Sequence, residues 1–437
     1  MGRSRHNFYP SKGNVVLALM LKDKLLAWLP QLSLQVWILA AGRLLSQIGT
    51  GFTMFYAPIF FVNEVELSAT AVGIGLGSSS VAGVLGRFLG GSLADNPAWG
   101  RRKTLLLSAA VSAVADGVLV FTYDLPTFII GNLLMGMGIG LYWPATEAAV
   151  ADMTTGEQRN EAFAVTRLAD SLGLGLGVIL AGEWVARSGN YRALFVVDGI
   201  SFVVFFAVIY AAISETVQDR PASASGQGWG VAFRDRALMV FLLANILFTL
   251  YISQIQSTLP LYFTNFATTS RPEPGFLPNT ISLLFSFHVV AAALFQLPIA
   301  RWLNRFRRPQ ALTLSLFLWA AGFVLIWGIG RFAFLGSMAA AVALGLLAIA
   351  IVSYTPSASA FVVDLAPESL RGVYLSLNSQ CWAIGYLIGP PLGGWALDQS
   401  NAIARNFWLI LAMSTVLGML ILRILDRMTR NNPEKPG

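Results

Sequence analysis

The sequence predicts an all-α integral membrane protein with twelve transmembrane helices in two pseudo-symmetric six-helix halves. Three observations carry that expectation. First, 56% of the 437 residues are hydrophobic and only 12% are charged, against roughly 25% charged in soluble domains. Apolar runs of about 20 residues, enough to cross a bilayer, recur along nearly the whole chain. Second, the chain repeats itself. Tyr142, Pro144, Asp152, Arg159, Gly173, Gly177 and Gly182 match Tyr354, Pro356, Asp364, Arg371, Gly385, Gly389 and Gly394, each 212 residues later (354 − 142). Third, with a cytoplasmic amino terminus and alternating spans, 21 Lys and Arg residues fall inside and 5 (Arg187, Arg192, Arg271, Arg331, Arg405) fall outside. That is the bias of cytoplasmic loops, so the net charge of +7 sets topology and no nucleic-acid partner is expected.

Residues 1–32 form a basic cytoplasmic segment in which Val15 to Trp28 reads either as an interfacial helix or as a loosely ordered tail. No secretory signal is expected there. The first half, 33–213, holds spans near 33–62, 68–92, 103–122, 126–149, 162–186 and 193–213. A cytoplasmic linker, 214–236, contains Pro221-Ala-Ser-Ala-Ser-Gly-Gln-Gly, a flexible composition. The second half, 237–425, holds spans near 237–263, 278–302, 310–329, 333–357, 372–396 and 404–425, and 426–437 is a cytoplasmic tail. Span 2 carries Gly83, Gly86, Gly90 and Gly91, span 5 carries Gly173, Gly175 and Gly177, and span 11 carries Gly385, Gly389 and Gly393. Small residues at such spacing let helix backbones approach closely in lipid.

Between spans 2 and 3 runs Gly91-Ser-Leu-Ala-Asp95-Asn-Pro-Ala-Trp-Gly100-Arg101-Arg102-Lys103. This stretch resembles the helix 2–3 loop of the major facilitator superfamily of transporters. It departs from that pattern in having Asn96 where the family usually has arginine, and two extra residues before Gly100. The resemblance implies a gate. Asp95 would hold the amino-terminal dipole of span 11, while Arg101 and Arg102 would pair with Glu147 or Asp152. The second half has Asn304 in place of Asp95 and Ser359 in place of Glu147, so its counterpart latch should be weaker. Gly131-Asn132-Leu-Leu-Met135-Gly136 resembles the family's helix-4 motif, with Asn132 where many efflux members carry a proton-coupling arginine. Gly385-x3-Gly389-Pro390-x2-Gly393-Gly394 is similar to the glycine-proline motif of drug–proton antiporters, here in span 11 rather than span 5. The multidrug-efflux branch is thus the one most resembled. Family architecture also implies that helix 2 meets helix 11 and helix 5 meets helix 8, with glycine faces there letting the halves pivot.

Ionisable groups inside spans are functional candidates by default. Here they are Arg43, Arg87, Asp116, Arg167, Asp170, Asp198 and His288. Arg167 and Asp170, three apart on one helix, are expected to neutralise each other, and Asp198 to meet Arg192. Asp116, Asp170 and His288 are the candidates for proton coupling. If spans 1, 4, 7 and 10 line a cavity, its residues include Gln47, Tyr56, Asn132, Met135, Tyr142, Asn245, Tyr251, Gln254 and Tyr354. That mix of aromatics, methionine and amides suits an amphipathic organic solute.

The single cysteine, Cys381, excludes an intramolecular disulfide, and no metal or cofactor is expected. No phosphate loop, metal cluster or activated nucleophile marks an enzyme. The expected activity is proton-coupled efflux of a small amphipathic organic compound by alternating access, in a monomer of the plasma (inner) membrane. Uptake symport or uniport of a metabolite remains open, as does a non-transporting membrane scaffold or assembly factor.

Overall fold

The computed structural model describes residues 32–154, 156–216, 229–268, 274–303, 305–332, 336–367 and 370–430. The amino-terminal segment up to residue 31, most of the linker, Asn304, the side chain of Arg371 and residues 431–437 lie outside them. All regular structure among the described residues is helical. The helices are α1 (Leu34–Met54), α2 (Ala57–Asn63), α3 (Ala69–Asp95), α4 (Gly100–Val120), α5 (Leu125–Asp152), α6 (Gly156–Ser188), α7 (Arg192–Ala212) and α8 (Trp229–Arg234). They continue as α9 (Arg236–Gln256), α10 (Thr258–Asn265), α11 (Pro278–Leu303), α12 (Arg308–Ile329), α13 (Gly336–Leu365), α14 (Arg371–Asp398) and α15 (Asn401–Arg430).

Among the described residues, eleven helices are long and apolar enough to cross a membrane, α1 and α2 together making one of them. The predicted eleventh span, α14, is not among these. Asn378, Gln380 and its Gly-Pro-rich half lower its apolarity, although it is long enough at 28 residues.

Local sequence explains where the helices start and stop. Ser33, Ser68 and Asp235 cap α1, α3 and α9 with their side-chain oxygens. Asp124 caps α5, and the hydroxyl and backbone N–H of Thr127 hold its carboxyl below the usual carboxylate range. Two predicted spans are broken. Span 1 turns at Phe55–Tyr56, where Pro58 in the first turn of α2 starts a new helix, and span 7 turns at Ser257. The linker ends in the short α8, and α13 and α15 run past the predicted ends to Leu365 and Arg430.

Packing follows the repeat. In the first group of helices α1 packs on α6 and α7, α3 on α5, and α4 on α5 and α7. In the second, α9 packs on α14 and α15, α11 on α13, and α12 on α13 and α15. Between groups, α3 lies along α14 and α6 along α11.

The period-four glycines serve the contacts within groups. A β-carbon at Gly86 or Gly90 would run into Met137, Gly140 or Leu141 of α5, and one at Gly173 or Gly177 into Leu44, Ile48 or Gly51 of α1. Gly385, Gly389 and Gly393 face Thr249, Ser253, Gln254 and Thr258. The expectation that these three form the pivot against span 2 is therefore corrected. The α3–α14 contact rests instead on Gly73 against Pro390, Gly77 against Leu387 and Gly394 against Ala69.

The bundle has two unlike ends. Hydrogen bonds seen between the groups, Asn63–Asn265 and those from Ala69 and Thr70 to Asp398, lie at the end where α2 and α10 finish. We call this the far end, and the end holding Asp95 and Arg101 the loop end.

Candidate functional site

At the loop end, Asn96 caps the turn by accepting from the Ala98 N–H, and the chain re-enters a helix at Gly100. Gly100 has φ +85°, and a β-carbon there would collide with the Glu215 carboxylate. Only glycine suits both conditions. Glu215 accepts from the backbone N–H groups of Arg101 at 2.8 Å and Arg102 at 3.2 Å, capping α4 from beyond α7. With its backbone so held, the Arg101 guanidinium lies 3.0 Å from both Asp95 and Asp152. Arg102 turns the other way, over the Tyr210 ring, and donates to the Tyr210 carbonyl. Of the two acids expected near these arginines, Asp152 is the one engaged; Glu147 pairs elsewhere. Asp95 remains 74% exposed, and α14 begins at Leu370 without a side-chain cap. In the second group Arg308 reaches Asp364, the repeat counterpart of Asp152, at 3.3 Å, and Arg307 reaches Asp426 at 3.0 Å. Gly91 has open space beside it.

Deeper along the first group lies a charged cluster. Arg43 is 1% exposed and grips Asp170 with two guanidinium nitrogens, Nε donating to Oδ1 at 2.9 Å. Its guanidinium also sits 5.5 Å from the Tyr142 ring and 5.6 Å from the Trp143 ring. Arg167 pairs with Glu147 at 3.0 Å and covers the other side of Trp143, with side chains 59% and 48% exposed. The expected Arg167–Asp170 pair does not form. Residues three apart share a face, but Arg43 on α1 offers Asp170 a planar, bidentate partner that is already desolvated.

The second group presents no such charge. Asn245, Asn378 and Tyr354 form a buried amide–phenol network, with Asn245 donating to Asn378 at 2.8 Å and Tyr354 stacked on Phe248. Trp382 and Tyr386 stack beside it, and Tyr386 donates to Gln256 at 2.9 Å.

These features can be set beside known proteins. The family model described as Major Facilitator Superfamily matches residues 39–272 and 271–437. The chain belongs to the Major Facilitator Superfamily. It is similar to the uncharacterized MFS-type transporter YttB of Bacillus subtilis (strain 168), at 23% identity over 88% of this chain and 94% of the relative. It is similar also to the multidrug resistance protein MdtH of Salmonella typhimurium, at 24% over 83% and 87%. A third relative is the Na(+), Li(+), K(+)/H(+) antiporter of Planococcus maritimus, at 24% over 80% and 87%. Among solved structures, the nucleoside transporter NupG superposes with a TM-score of 0.75 at 16% identity, covering 90% of this chain and 99% of that one. These are membrane transporters; none is described as an enzyme.

Within this superfamily fold the sequence-predicted cavity residues separate. Tyr142 joins the charged cluster, and Asn245 and Tyr354 the amide network. Gln47 and Met135 are half-buried. Asn132 turns its amide back to the Phe128 carbonyl of its own helix at 2.9 Å. Three others are packing residues rather than cavity lining. Tyr251 bonds Ser414 and lies against Trp319 and Phe323, Gln254 donates to the Gly389 carbonyl, and Tyr56 reaches the Val178 carbonyl. Their polar atoms satisfy neighbouring helices, the usual fate of polar groups inside a bilayer-spanning bundle.

Of the proton-coupling candidates, Asp170 is neutralised by Arg43, and His288 is tied through Nδ1 to the Leu344 carbonyl at 2.9 Å. Asp116 is buried without a hydrogen-bond partner for either oxygen. Asp198 does not meet Arg192, which donates instead to the Val120 and Thr122 carbonyls. Sequence reasoning did not assign Arg43, Glu147, Arg167 and Trp143 to one site. A signal was present, since a mid-span arginine requires a carboxylate, and Arg43 had none in its own span while Asp170 was paired with Arg167 only by its spacing.

Proposed function

We propose that the protein is a secondary active transporter that exports a small amphipathic organic compound in exchange for protons. Its twelve spans, with α14 as the twelfth, make two six-helix halves, 33–213 and 237–425, that rock about a central site. It works as a monomer in the plasma (inner) membrane with the loop end and both termini cytoplasmic.

The observation that carries this reading is the reciprocity of α3 and α14. These helices run antiparallel and each ends in an aspartate, Asp95 on α3 and Asp398 on α14. Asp398 caps α3 at the far end, through the Ala69 N–H at 2.9 Å and the Thr70 N–H at 2.7 Å. At the loop end Asp95 is exposed, and among the described residues no side chain caps α14. A rocking motion that releases the first contact brings the second together, so the same helix pair supplies one charge–dipole contact to each state. Glu147, Arg167, Asp170, Arg43 and two aromatic rings on one side, with Trp382 and Tyr386 on the other, suit a solute with a ring system and a polar or charged group. The multidrug and proton-antiporter relatives support export against protons.

The test is made in proteoliposomes with an acid interior, which stands in for the outside of the cell. A panel of lipophilic cations and neutral amphiphiles should accumulate, and collapsing the gradient should release them. Equilibration without accumulation would sink proton coupling and favour the facilitator reading, for which the neutral, self-bonded Asn132 is the supporting observation.

A further inference from the structure

Two carboxylates lie outside the charged cluster and outside the gate. Asp116 on α4 and Asp198 on α7 are each 1% exposed, on helices that pack side by side. Asp116 lies against Gly199, where a β-carbon would sit 3.2 Å from its own Cβ. Asp198 is the residue next to Gly199 on α7, the helix that packs on α4. Both oxygens of Asp116 are buried without a hydrogen-bond donor among the described residues, and Asp198 has the Ser201 hydroxyl beside it. Oδ2 of Asp198 accepts from the Thr53 hydroxyl at 2.8 Å, and Gly49 of α1 closes the site beside Asp198 and Ser201.

The charged and titratable groups nearby are engaged elsewhere. Arg192, which opens α7, binds two backbone carbonyls and lies over Phe60 and Tyr123. Tyr191 stacks on Phe60 and feels Glu64. Among the described residues, no basic side chain bonds to either carboxyl.

Two adjacent negative charges without a cation cannot both persist in a bilayer-spanning core. Desolvation and mutual repulsion each favour keeping a proton. A protonated carboxyl is also a donor, which is what the two unpartnered oxygens of Asp116 lack. We propose that Asp116 and Asp198 share one proton and constitute a proton-binding site of the transporter, separate from the Arg43–Asp170 cluster. Its link to the far-end contacts is Thr53, next to the α1–α2 break, beyond which Phe55 stacks on Phe285 of the second group at 4.5 Å. Losing the proton leaves the pair fully charged and strengthens the pull of Asp198 on Thr53, which loads the break that carries the far-end contacts. The coupling role rests on the proton-driven reading above; the shared proton does not.

Infrared difference spectroscopy of the reconstituted full-length protein tests it. At neutral pH a protonated-carboxyl band, shifted by deuterium exchange, should be present. It should vanish in both Asp116→Asn and Asp198→Asn, and persist in Asp124→Asn and on adding sodium at fixed pH. Either aspartate variant should lose gradient-driven accumulation at least about tenfold while keeping downhill equilibration. A band untouched by both substitutions would overturn the proposal, and so would a band removed by sodium, which would make the pair a metal-cation site. A band that behaves as expected in a protein unable to accumulate any solute would support the shared proton and defeat the transport reading instead.

Discussion

The two ends of the α3–α14 pair are built from the same parts and stand in opposite conditions. At the far end, the first three N–H groups of α3 are all satisfied, two by Asp398 from across the interface and one by Ser68. At the loop end, among the described residues, Asp95 is held by Arg101 of its own group and no side chain caps the start of α14. Helix amino termini attract carboxylates equally at either end. What separates the ends is therefore which carboxylate can reach, and that depends on the tilt between the groups. A protein with one of these contacts made and one open is poised between two states rather than fixed in one.

The largest expected effect comes from removing the contact that is made. Asp398→Ala deletes charge-assisted bonds to two backbone N–H groups and the Thr70 hydroxyl. Loss of such a cap is worth about 2 kcal/mol, or roughly 30-fold in a two-state ratio. Spin labels at Glu64→Cys and Asn401→Cys, exposed positions at the far end, would report it in a Cys381→Ser background. A longer-distance population should appear. An unchanged distance distribution would mean that Asp398 is incidental to closure.

Next in size is Gly100→Ala, which tests whether the loop end is organised through the start of α4. A β-carbon at φ +85° meets the Glu215 carboxylate. Left-handed backbone alone costs an ordinary residue about 1–2 kcal/mol. The purified variant should melt at lower temperature, and Glu215→Ala should cost less when added to Gly100→Ala than it does in the parent protein. Equal stability of Gly100→Ala and the parent protein would refute the account of this turn.

Asp95→Asn should act more weakly and with the opposite sign to Asp398→Ala. In the state described, its pair with Arg101 is exposed and worth about 0–1 kcal/mol. In the other state it would lose a helix-dipole partner, about 1 kcal/mol. The far-end-open population should fall roughly fivefold. Adding Asp95→Asn to Asp398→Ala should pull the label distances back toward the parent distribution. Simple reinforcement of the two effects would break the reciprocity argument.

Much of this architecture was legible because a bilayer leaves few options: spanning segments must be helical, long and apolar. The 212-residue repeat was legible for the same reason, and its echo in the packing is close, with α1 on α6 mirrored by α9 on α14. Helix partners were harder to read. Gly385, Gly389 and Gly393 announce a close approach, but spacing does not say to which helix, and they face α9 and α10 rather than α3. Ion pairs failed for a related reason. Arg167 and Asp170 are neighbours along the chain, so sequence favours their pairing, whereas Arg43 and Glu147 arrive from helices 127 and 20 residues away. The break at Phe55 leaves no clear sign in hydropathy, whereas the one at Ser257 falls in the polar run Ser253-Gln-Ile-Gln-Ser-Thr258, which a spanning helix could equally carry.

The smallest expected effect probes the far end without touching a charge. Asn63 and Asn265 exchange amide hydrogen bonds across the interface at 3.2 and 3.0 Å, in full view of solvent. Such bonds compete with water and contribute about 0.5 kcal/mol each. Asn63→Ala should therefore raise the far-end-open population only about two- to fivefold, well short of Asp398→Ala. Because an amide is indifferent to ionic strength while a carboxylate at a helix terminus is screened, added salt should widen the distances in the Asn63→Ala protein and, by screening Asp95 alone, narrow those of Asp398→Ala. If the two variants respond alike to salt, closure does not rest on the Asp398 charge, and the difference between the two ends of the pair needs another cause.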